Sequence, residues 1–239
     1  MDKQGNSYTF MYASVLVVIV AAVLALVSQS LKPLQARNEM VAKKVDILRS
    51  VNIESTSKDA EAKYEKYIGE ATYVVSFTGE KVDGVDAINV DMAKELRKAK
   101  EERFYPVYEA RLDNGEVKYI LQLRGAGLWG PIWGYVSVNN DGNTIYGATF
   151  GHKGETPGLG AEIEKPDFQE QFQGKQIFDA NGGLVSVLVV KGKTSEASLH
   201  EVDAISGGTI TSKGLEAMLK NFFEGYENFL KNKNSESHE

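Results

Sequence analysis

The sequence predicts an α+β protein in which a single N-terminal transmembrane helix is followed by a domain of antiparallel hairpins with packed helices. Three observations lead to this fold class. An apolar run without charge extends from Tyr8 to Val27. Further along, two pairs of apolar segments are each joined by a short turn of Asp, Asn and Gly residues, which is the pattern of β-hairpins. A helical segment near the C-terminus completes the pattern, and a parallel α/β fold is not expected.

The composition is that of an ordinary globular protein and excludes several other classes. The 239 residues carry a net charge of −6, with 42% hydrophobic and 25% charged residues, unlike disordered or collagen-like chains. The absence of cysteine excludes disulfides, thiolate zinc sites and cysteine-ligated iron–sulfur clusters. An acidic chain also lacks the basic face that nucleic acid requires, so we do not expect a nucleic-acid partner.

The apolar run predicts a membrane anchor over residues 1–33. About 20 apolar residues suffice to span the roughly 30 Å hydrocarbon core of a bilayer, and within the first 31 residues only Asp2 and Lys3 are charged. A cleaved signal peptide and a buried core helix are the alternatives, but the apolar region of a signal peptide is usually shorter, at about 7–15 residues. Basic residues after the run favour a cytoplasmic domain, yet this rule is weak for large domains, so the flanking charges leave the side of the membrane open.

Residues 34–105 are predicted to form a helical and mixed connecting region packed on the domain. Apolar residues at three- and four-residue steps, or charged segments with one apolar stripe, indicate helices, and a short apolar run indicates a strand. The predicted elements are helices over Leu34–Val51, Asp59–Ile68 and Asp91–Phe104 and a strand over Tyr73–Phe77.

Residues 106–231 are predicted to form the binding domain, and residues 232–239 a disordered polar tail. Alternating apolar residues on either side of two Asn/Asp/Gly turns indicate two hairpins, and a later apolar run indicates one more strand. The predicted elements are strands over Val107–Leu112, Val117–Leu123, Ile132–Asn139, Thr144–Phe150 and Leu184–Lys191 and a terminal helix over Ser212–Lys231.

Three glycine-rich segments are the candidates for binding chemistry. The first, Gly125–Gly130, matches the G-x-G-x-x-G pattern of dinucleotide-binding folds. In those folds the third glycine opens a helix, whereas Pro131 and an alternating strand follow here, so a dinucleotide site is rejected. Trp129 and Trp133 could cover a flat ring system beside these glycines, or they could simply pack in the core.

The second segment, His152–Gly160, follows a predicted strand. Pro157 restrains Thr156 to an extended conformation, and Pro157–Gly158 is a turn signal. An extended backbone with free amides beside glycines suits the edge of a planar ligand. It equally suits an ordinary surface loop, and the residues alone leave both possibilities open.

The third segment, Asp203–Ser212, leads into the terminal helix. Unpaired backbone N–H groups converge at a helix N-terminus, where the helix dipole adds positive potential, so small residues there favour an anion such as phosphate. Gly207 and Gly208 allow a nest of amides around phosphate oxygens. The alternative is a plain helix cap formed by Ser212.

The three segments together resemble elements of a known family of flavin-binding subunits. Asp203-x-x-Ser206-Gly207-Gly208-Thr209 is similar to the flavinylation motif D-x-x-(S/T)-G-A-T, with Gly208 in the place of alanine. Glu155–Gly160 resembles the E-T-P-G-L-G element of FMN-binding domains in respiratory ion pumps. Gly127–Gly130 resembles the G-L-W element of the NqrC family, a subunit of the Na⁺-translocating NADH:quinone reductases. The order of these elements behind one membrane helix identifies the chain as similar to that family.

This resemblance implies a cofactor and a role for each matching residue. Thr209 would carry FMN through a phosphoester bond made by a separate flavin transferase, and Asp203 would belong to the motif that the transferase recognises. The other cofactor-binding residues implied are Ser206, Gly207, Gly208 and Thr211 around the phosphate, and Leu128, Trp129, Glu155, Thr156, Leu159 and Gly160 around the isoalloxazine ring. No catalytic acid, base or nucleophile and no metal site is required.

The function implied is electron relay within a membrane complex. The chain would be a subunit of a Na⁺-translocating NADH:quinone reductase in the bacterial inner membrane, with its flavin domain on the periplasmic side and with other subunits, the flavin transferase and the lipid bilayer as partners. It would not be catalytic alone. Two alternatives are the equivalent subunit of a Rnf-type ferredoxin:NAD oxidoreductase and a membrane-tethered binding module without a redox role.

Overall fold

The computed structural model describes residues 6–192, 194–195 and 198–236 of the chain. Two compact units divide after Lys43, so residues 44–105 belong to the same unit as the hairpins and the terminal helix. The described helices are α1 Asn6–Ser50, α2 Ala60–Tyr67, α3 Met92–Glu95, α4 Pro166–Gln169 and α5 Thr209–Glu236. The described strands are β1 Thr72–Val75, β2 Lys81–Val82, β3 Tyr105–Arg111, β4 Val117–Ala126, β5 Pro131–Val138, β6 Ile145–His152, β7 Leu188–Val190 and β8 Glu201–Asp203.

Helix α1 contains residues 6–33 of the predicted anchor and nearly all of the helix predicted to follow it, while residues 1–5 lie outside the described residues. Its 45 residues include Pro33, which removes one backbone hydrogen bond but does not end the helix. No glycine or second proline lies between Ser28 and Ser50, so nothing else in the sequence interrupts the helix. The large apolar side chains from Phe10 to Leu34 are exposed, and α1 is long and apolar enough to cross a membrane.

The main sheet has six antiparallel strands in the order β2-β1-β3-β4-β5-β6. Both predicted hairpins are confirmed. β3 and β4 pair with Arg111 opposite Val117, around a turn closed by the Gly115 N–H, which donates to the Leu112 carbonyl at 2.9 Å. β5 and β6 pair along their length, with an irregularity between Ser137 and Val138. The antiparallel sheet with packed helices confirms the predicted α+β fold class.

Both faces of this sheet are buried. On one face α5 packs through a stripe of fully buried residues that includes Phe222 and Tyr226, whose rings meet Tyr105 edge to face. The Tyr226 hydroxyl donates to the Pro106 carbonyl at 2.7 Å, which fixes the helix against β3. On the other face the Ser137 hydroxyl donates to the carbonyl of Ser50, the last residue of α1, at 2.5 Å.

The structure corrects the prediction of one helix over Asp91–Phe104. Only the four residues of α3 and a short 3-10 turn at Lys100–Glu102 are helical. The Glu95 carboxylate accepts from the Phe104 N–H at 2.9 Å, and Arg103 donates to the Lys98 carbonyl at 3.0 Å. Side chains therefore satisfy backbone groups that a continuous helix would have paired.

The C-terminal part of the chain also differs from the prediction. Helix α5 begins at Thr209 and not at Ser212, and it continues through residues 232–236, which were predicted to belong to a disordered tail. Asn234 donates to the Asp141 carbonyl at 2.7 Å, which ties the end of the helix to the turn before β6. Residues 237–239 of the predicted tail lie outside the described residues.

The strand predicted over Leu184–Lys191 is shorter than expected and has a parallel partner. β7 covers three residues and pairs in parallel with β8, which the sequence pattern did not predict. The Val189 N–H donates to the Glu216 carboxylate of α5 at 2.7 Å, so this small sheet is attached to the helix whose N-terminus follows β8.

Candidate functional site

Three loops converge at one end of the sheet. They are the tip of the β4–β5 hairpin, the segment after β6, and the segment between β8 and α5. The Trp129 N–H donates to Glu155 Oε1 at 2.8 Å, and the Thr211 hydroxyl donates to Glu155 Oε2 at 2.5 Å. A Cβ atom placed on Gly208 would lie 3.3 Å from the backbone nitrogen of Gly160. The structure thus brings the three glycine-rich segments singled out in the sequence into one site.

The tip of the β4–β5 hairpin presents two apolar side chains to solvent. The Gly127 N–H donates to the Gly130 carbonyl at 2.8 Å, which closes a tight turn around Leu128 and Trp129. Leu128 is 48% exposed and Trp129 is 69% exposed. Exposed apolar side chains of this size at a loop tip are typical of a surface that contacts a ligand or partner.

Leu159 and Ile210 extend this apolar surface from the other two loops. They are 42% and 58% exposed, and a Cβ on Gly207 would lie 2.6 Å from the Leu159 side chain. Ile210 was not among the predicted site residues, because the flavinylation motif ends at Thr209 and the terminal helix was predicted to begin at Ser212. In the structure Ile210 is the second residue of α5 and is exposed.

The start of α5 provides the candidate phosphate site. The Ser212 N–H donates to the Gly208 carbonyl at 2.9 Å, so Gly208 and not Ser212 is the N-cap residue. The Ser212 hydroxyl instead accepts from the Ile205 N–H at 3.2 Å. Among the described residues, none accepts a hydrogen bond from the backbone N–H groups of residues 209–211.

Thr209 is the first residue of this helix and is exposed. Gly207 has a φ of +74°, a conformation that favours glycine and turns the chain sharply before the helix. Unbonded N–H groups and the positive end of the dipole of a 28-residue helix therefore surround an accessible hydroxyl. These features fit the attachment of a phosphate ester.

The remaining predicted site residues have different surroundings. Ser206 and Thr156 are exposed, and the Thr156 carbonyl accepts from the N–H groups of Leu159 and Ala161. The Asp203 carboxylate accepts from the Thr194 N–H at 2.6 Å. The role that the resemblance implies for Asp203, recognition by the flavin transferase, stays a prediction.

The side chains of the two tryptophans lie in different parts of the domain. Trp133 lies across Gly151 of the neighbouring strand, where a Cβ would approach the indole Nε1 to 2.7 Å. Its indole N–H also bonds to the Asp46 carboxylate. The possibility that both rings cover one ligand is thus wrong. The alternation of side chains along β5 sends Trp133 to the sheet face that carries Asp46, while only Trp129 is at the hairpin tip.

Trp133 and Asp46 line a separate polar cleft of about 680 Å³ at the open edge of β6. His152 lies between this cleft and the loop site. Its Nδ1 accepts from the Glu155 N–H at 3.0 Å, and its Nε2 lies 3.5 Å from the Glu164 carboxylate. Burial raises the pKa of the Asp46 carboxyl, which lies in the part of α1 beyond the apolar run.

We expect Asp46→Asn to raise the unfolding temperature by a few degrees at pH 8 and to leave it unchanged at pH 4. A carboxyl with a raised pKa in the folded state is not penalised below its ordinary pKa and destabilises the fold as it ionises at higher pH. The amide oxygen of asparagine can still accept from the Trp133 indole. Circular dichroism melts of both proteins at the two pH values measure the difference. An equal difference at both would contradict the assignment.

The three loops lie in the part of the chain that is similar to domains that bind FMN. The FMN-binding domain family matches residues 127–224, a range that contains all three loops.

Comparison with known proteins shows to which family this chain belongs. The chain belongs to the NqrC family of Na(+)-translocating NADH-quinone reductase subunits. A relative from Neisseria meningitidis serogroup B, named as this subunit of the reductase, is 32% identical over 96% of this chain and 95% of its own length. The crystal structure of the same subunit from Parabacteroides distasonis shares 52% identity with a TM-score of 0.76, covering 84% of this chain and 96% of that one. The Shewanella oneidensis NqrC structure has 25% identity and a TM-score of 0.71, covering 84% and 99%. These findings confirm the resemblance drawn from the motifs.

Proposed function

We propose that this chain is the membrane-anchored flavoprotein subunit of a Na⁺-pumping NADH:quinone oxidoreductase, in which it relays electrons through an FMN bound covalently to Thr209. The observation that carries the proposal is the exposed hydroxyl of Thr209 on the first residue of α5, next to unbonded backbone N–H groups. A phosphate ester at this position would receive the positive end of the helix dipole and hydrogen bonds from the amides.

The residues around Thr209 divide into a polar and an apolar group. Ser206, Gly207, Gly208 and Thr211 would surround the phosphate. Ser206 would supply a hydroxyl and Thr211 its unbonded backbone N–H, while the two glycines leave room at the helix start. Leu128, Trp129 and Leu159 would border the isoalloxazine, since an exposed apolar surface suits a flat aromatic ring. Bound FMN supplies the electron-transfer chemistry, and the chain has only to bind the cofactor, orient it and set its environment. The site therefore needs no catalytic acid, base or nucleophile.

The proposal also specifies the membrane that holds the chain, the side on which the flavin domain lies and the proteins that interact with it. The exposed apolar stretch of α1 would lie in the inner membrane. A covalent link is an advantage on the periplasmic side, where free FMN could not readily be recovered, so we place the flavin domain there. The exposure of Thr209 gives a flavin transferase access to the hydroxyl, and other subunits of the complex would supply and accept the electrons.

The test is the intact mass of the full chain, expressed in membranes with and without a flavin transferase. We expect a gain equal to FMN minus one water only with the transferase, together with flavin fluorescence that survives denaturing electrophoresis. NADH should then bleach the flavin in membranes that contain the whole complex. An unmodified, colourless chain beside a control substrate that the same transferase modifies would favour a tethered binding module without a redox role. Bleaching by reduced ferredoxin and not by NADH would favour the Rnf-type subunit.

A further inference from the structure

Glu155 has a buried side chain whose two oxygens are both used within the protein. It is 5% exposed. Oε1 accepts from the backbone N–H of Trp129 at 2.8 Å, and Oε2 accepts from the hydroxyl of Thr211 at 2.5 Å. The first partner belongs to the hairpin tip and the second to the first turn of α5. One carboxylate therefore joins the two elements that would border the flavin ring and its phosphate.

The surrounding backbone is shaped to admit this carboxylate. A Cβ on Gly127 would lie 2.5 Å from Oε1, and a Cβ on Gly160 would lie 2.5 Å from Oε2. Two glycines thus leave space on either side of the Glu155 side chain. Its own backbone N–H is also fixed, because it donates to Nδ1 of His152 at 3.0 Å. Hydrogen bonds therefore fix both the backbone of Glu155 and its two carboxylate oxygens.

Among the described residues, no cationic side chain forms an ion pair with Glu155. Both of its hydrogen bonds are accepted, as they are by an ionised carboxylate. A negative charge that is buried and unpaired acts over a longer range than an exposed one, since water and salt do not screen it.

We propose that Glu155 is a positioning residue of the flavin site: it fixes the Leu128–Trp129 tip against the first turn of α5, and its charge opposes reduction of the flavin. This inference rests on the proposed function, and it replaces direct contact with the ring as the role of Glu155. Reduction adds electrons to the flavin, so a nearby negative charge lowers the reduction potential.

Two substitutions separate the hydrogen bonds from the charge. In Glu155→Gln the amide oxygen can accept from the Trp129 N–H and the amide nitrogen can donate to Thr211, whose hydroxyl rotates, while the charge is lost. Glu155→Ala removes both bonds. Glu162→Gln is the matched control, because Glu162 loses the same charge in the same segment but accepts from the Gly158 N–H and contacts neither Trp129 nor Thr211 through a hydrogen bond.

The experiment uses the full chain co-expressed with a flavin transferase. The intact mass is measured first, then the visible circular dichroism of the flavin and its reduction potential. We expect Glu155→Gln to carry FMN and keep the wild-type dichroism but to shift the potential to a more positive value. Glu155→Ala should lose most of the flavin dichroism, because the ring is no longer held in one orientation. Glu162→Gln should match the wild type in both measurements.

The outcomes distinguish this inference from the proposed function. A wild-type chain without FMN refutes the proposed function itself. If the wild type carries FMN, an unchanged potential in Glu155→Gln overturns the inference, whether or not the alanine variant folds. A folded Glu155→Ala protein with wild-type flavin dichroism overturns it as well.

Discussion

Replacing Thr209 with alanine is expected to abolish covalent flavin attachment and to leave the fold intact. Thr209 is exposed at the first position of α5, and none of its side-chain atoms takes part in a hydrogen bond described in the structure. Alanine keeps the helix start, because the N-cap position belongs to Gly208. We therefore expect no mass gain in the variant and an unfolding free energy within about 0.5 kcal/mol of the wild type.

Two variants control for the position of the hydroxyl. Ser206→Ala removes an exposed hydroxyl three residues earlier, which would hold the phosphate but not carry it, so we expect a lower yield of adduct that is still located on Thr209. Thr209→Ser keeps an acceptor hydroxyl at the helix start and should retain attachment. An FMN adduct on Thr209→Ala, located by peptide mass spectrometry, would show that another hydroxyl is the acceptor and would refute the assignment.

Substituting Gly160 with alanine should disrupt the packing between Thr211 and Glu155 that supports the flavin site. The new Cβ would overlap Oγ1 of Thr211 and lie 2.5 Å from Oε2 of Glu155, so these two side chains could no longer bond to each other. Overpacking of a buried position typically costs about 1–3 kcal/mol. We expect that loss of stability in urea unfolding and a several-fold lower yield of FMN adduct after co-expression with the transferase.

Gly154→Ala provides the comparison within the same segment. No heavy atom lies within 4 Å of a Cβ at Gly154, so this variant should match the wild type in stability and in FMN yield. If both glycine variants lost FMN equally, the effect would come from the flexibility of the loop and not from the contact between Thr211 and Glu155.

Local patterns in the sequence were sufficient for most of the fold. The two hairpins follow from alternating apolar residues around Asn/Asp/Gly turns, whose conformations are dictated by residues next to one another in the chain. The same is true of α2 and of the apolar part of α1. These elements need no information about distant contacts, which is why their positions agree with the structure.

The elements that were mispredicted depend on contacts between distant residues. The segment Asp91–Phe104 has a helical pattern, but its backbone is satisfied by Glu95 and Arg103 side chains. The early start of α5 depends on the conformation of Gly207, and its extension to Glu236 is accompanied by the bond from Asn234 to the turn at Asp141. The spacing of apolar residues within one segment carries no information about such contacts, so it could not predict these differences.

The candidate site was predictable as a set of segments but not as an arrangement. The motifs identified the hairpin tip, the Glu155–Gly160 segment and the start of α5, and the structure brings all three together. The sequence could not show that Trp133 lies beside Asp46, on the sheet face opposite α5. Nor could it show that Glu155 bonds inward, because the partners of a carboxylate 26 residues from one donor and 56 from the other are set by the fold.

If Thr209 carries the flavin as proposed, its placement also bears on when the cofactor can be attached. Helix α5 has its inner side in the core, so packing against the rest of the domain stabilises it. The hydroxyl at its outer end is accessible in the folded domain, and modifying it requires no unfolding. Under the proposed function, FMN would therefore be attached to a domain that has already folded, and the folded, flavin-free domain would be the substrate of the transferase.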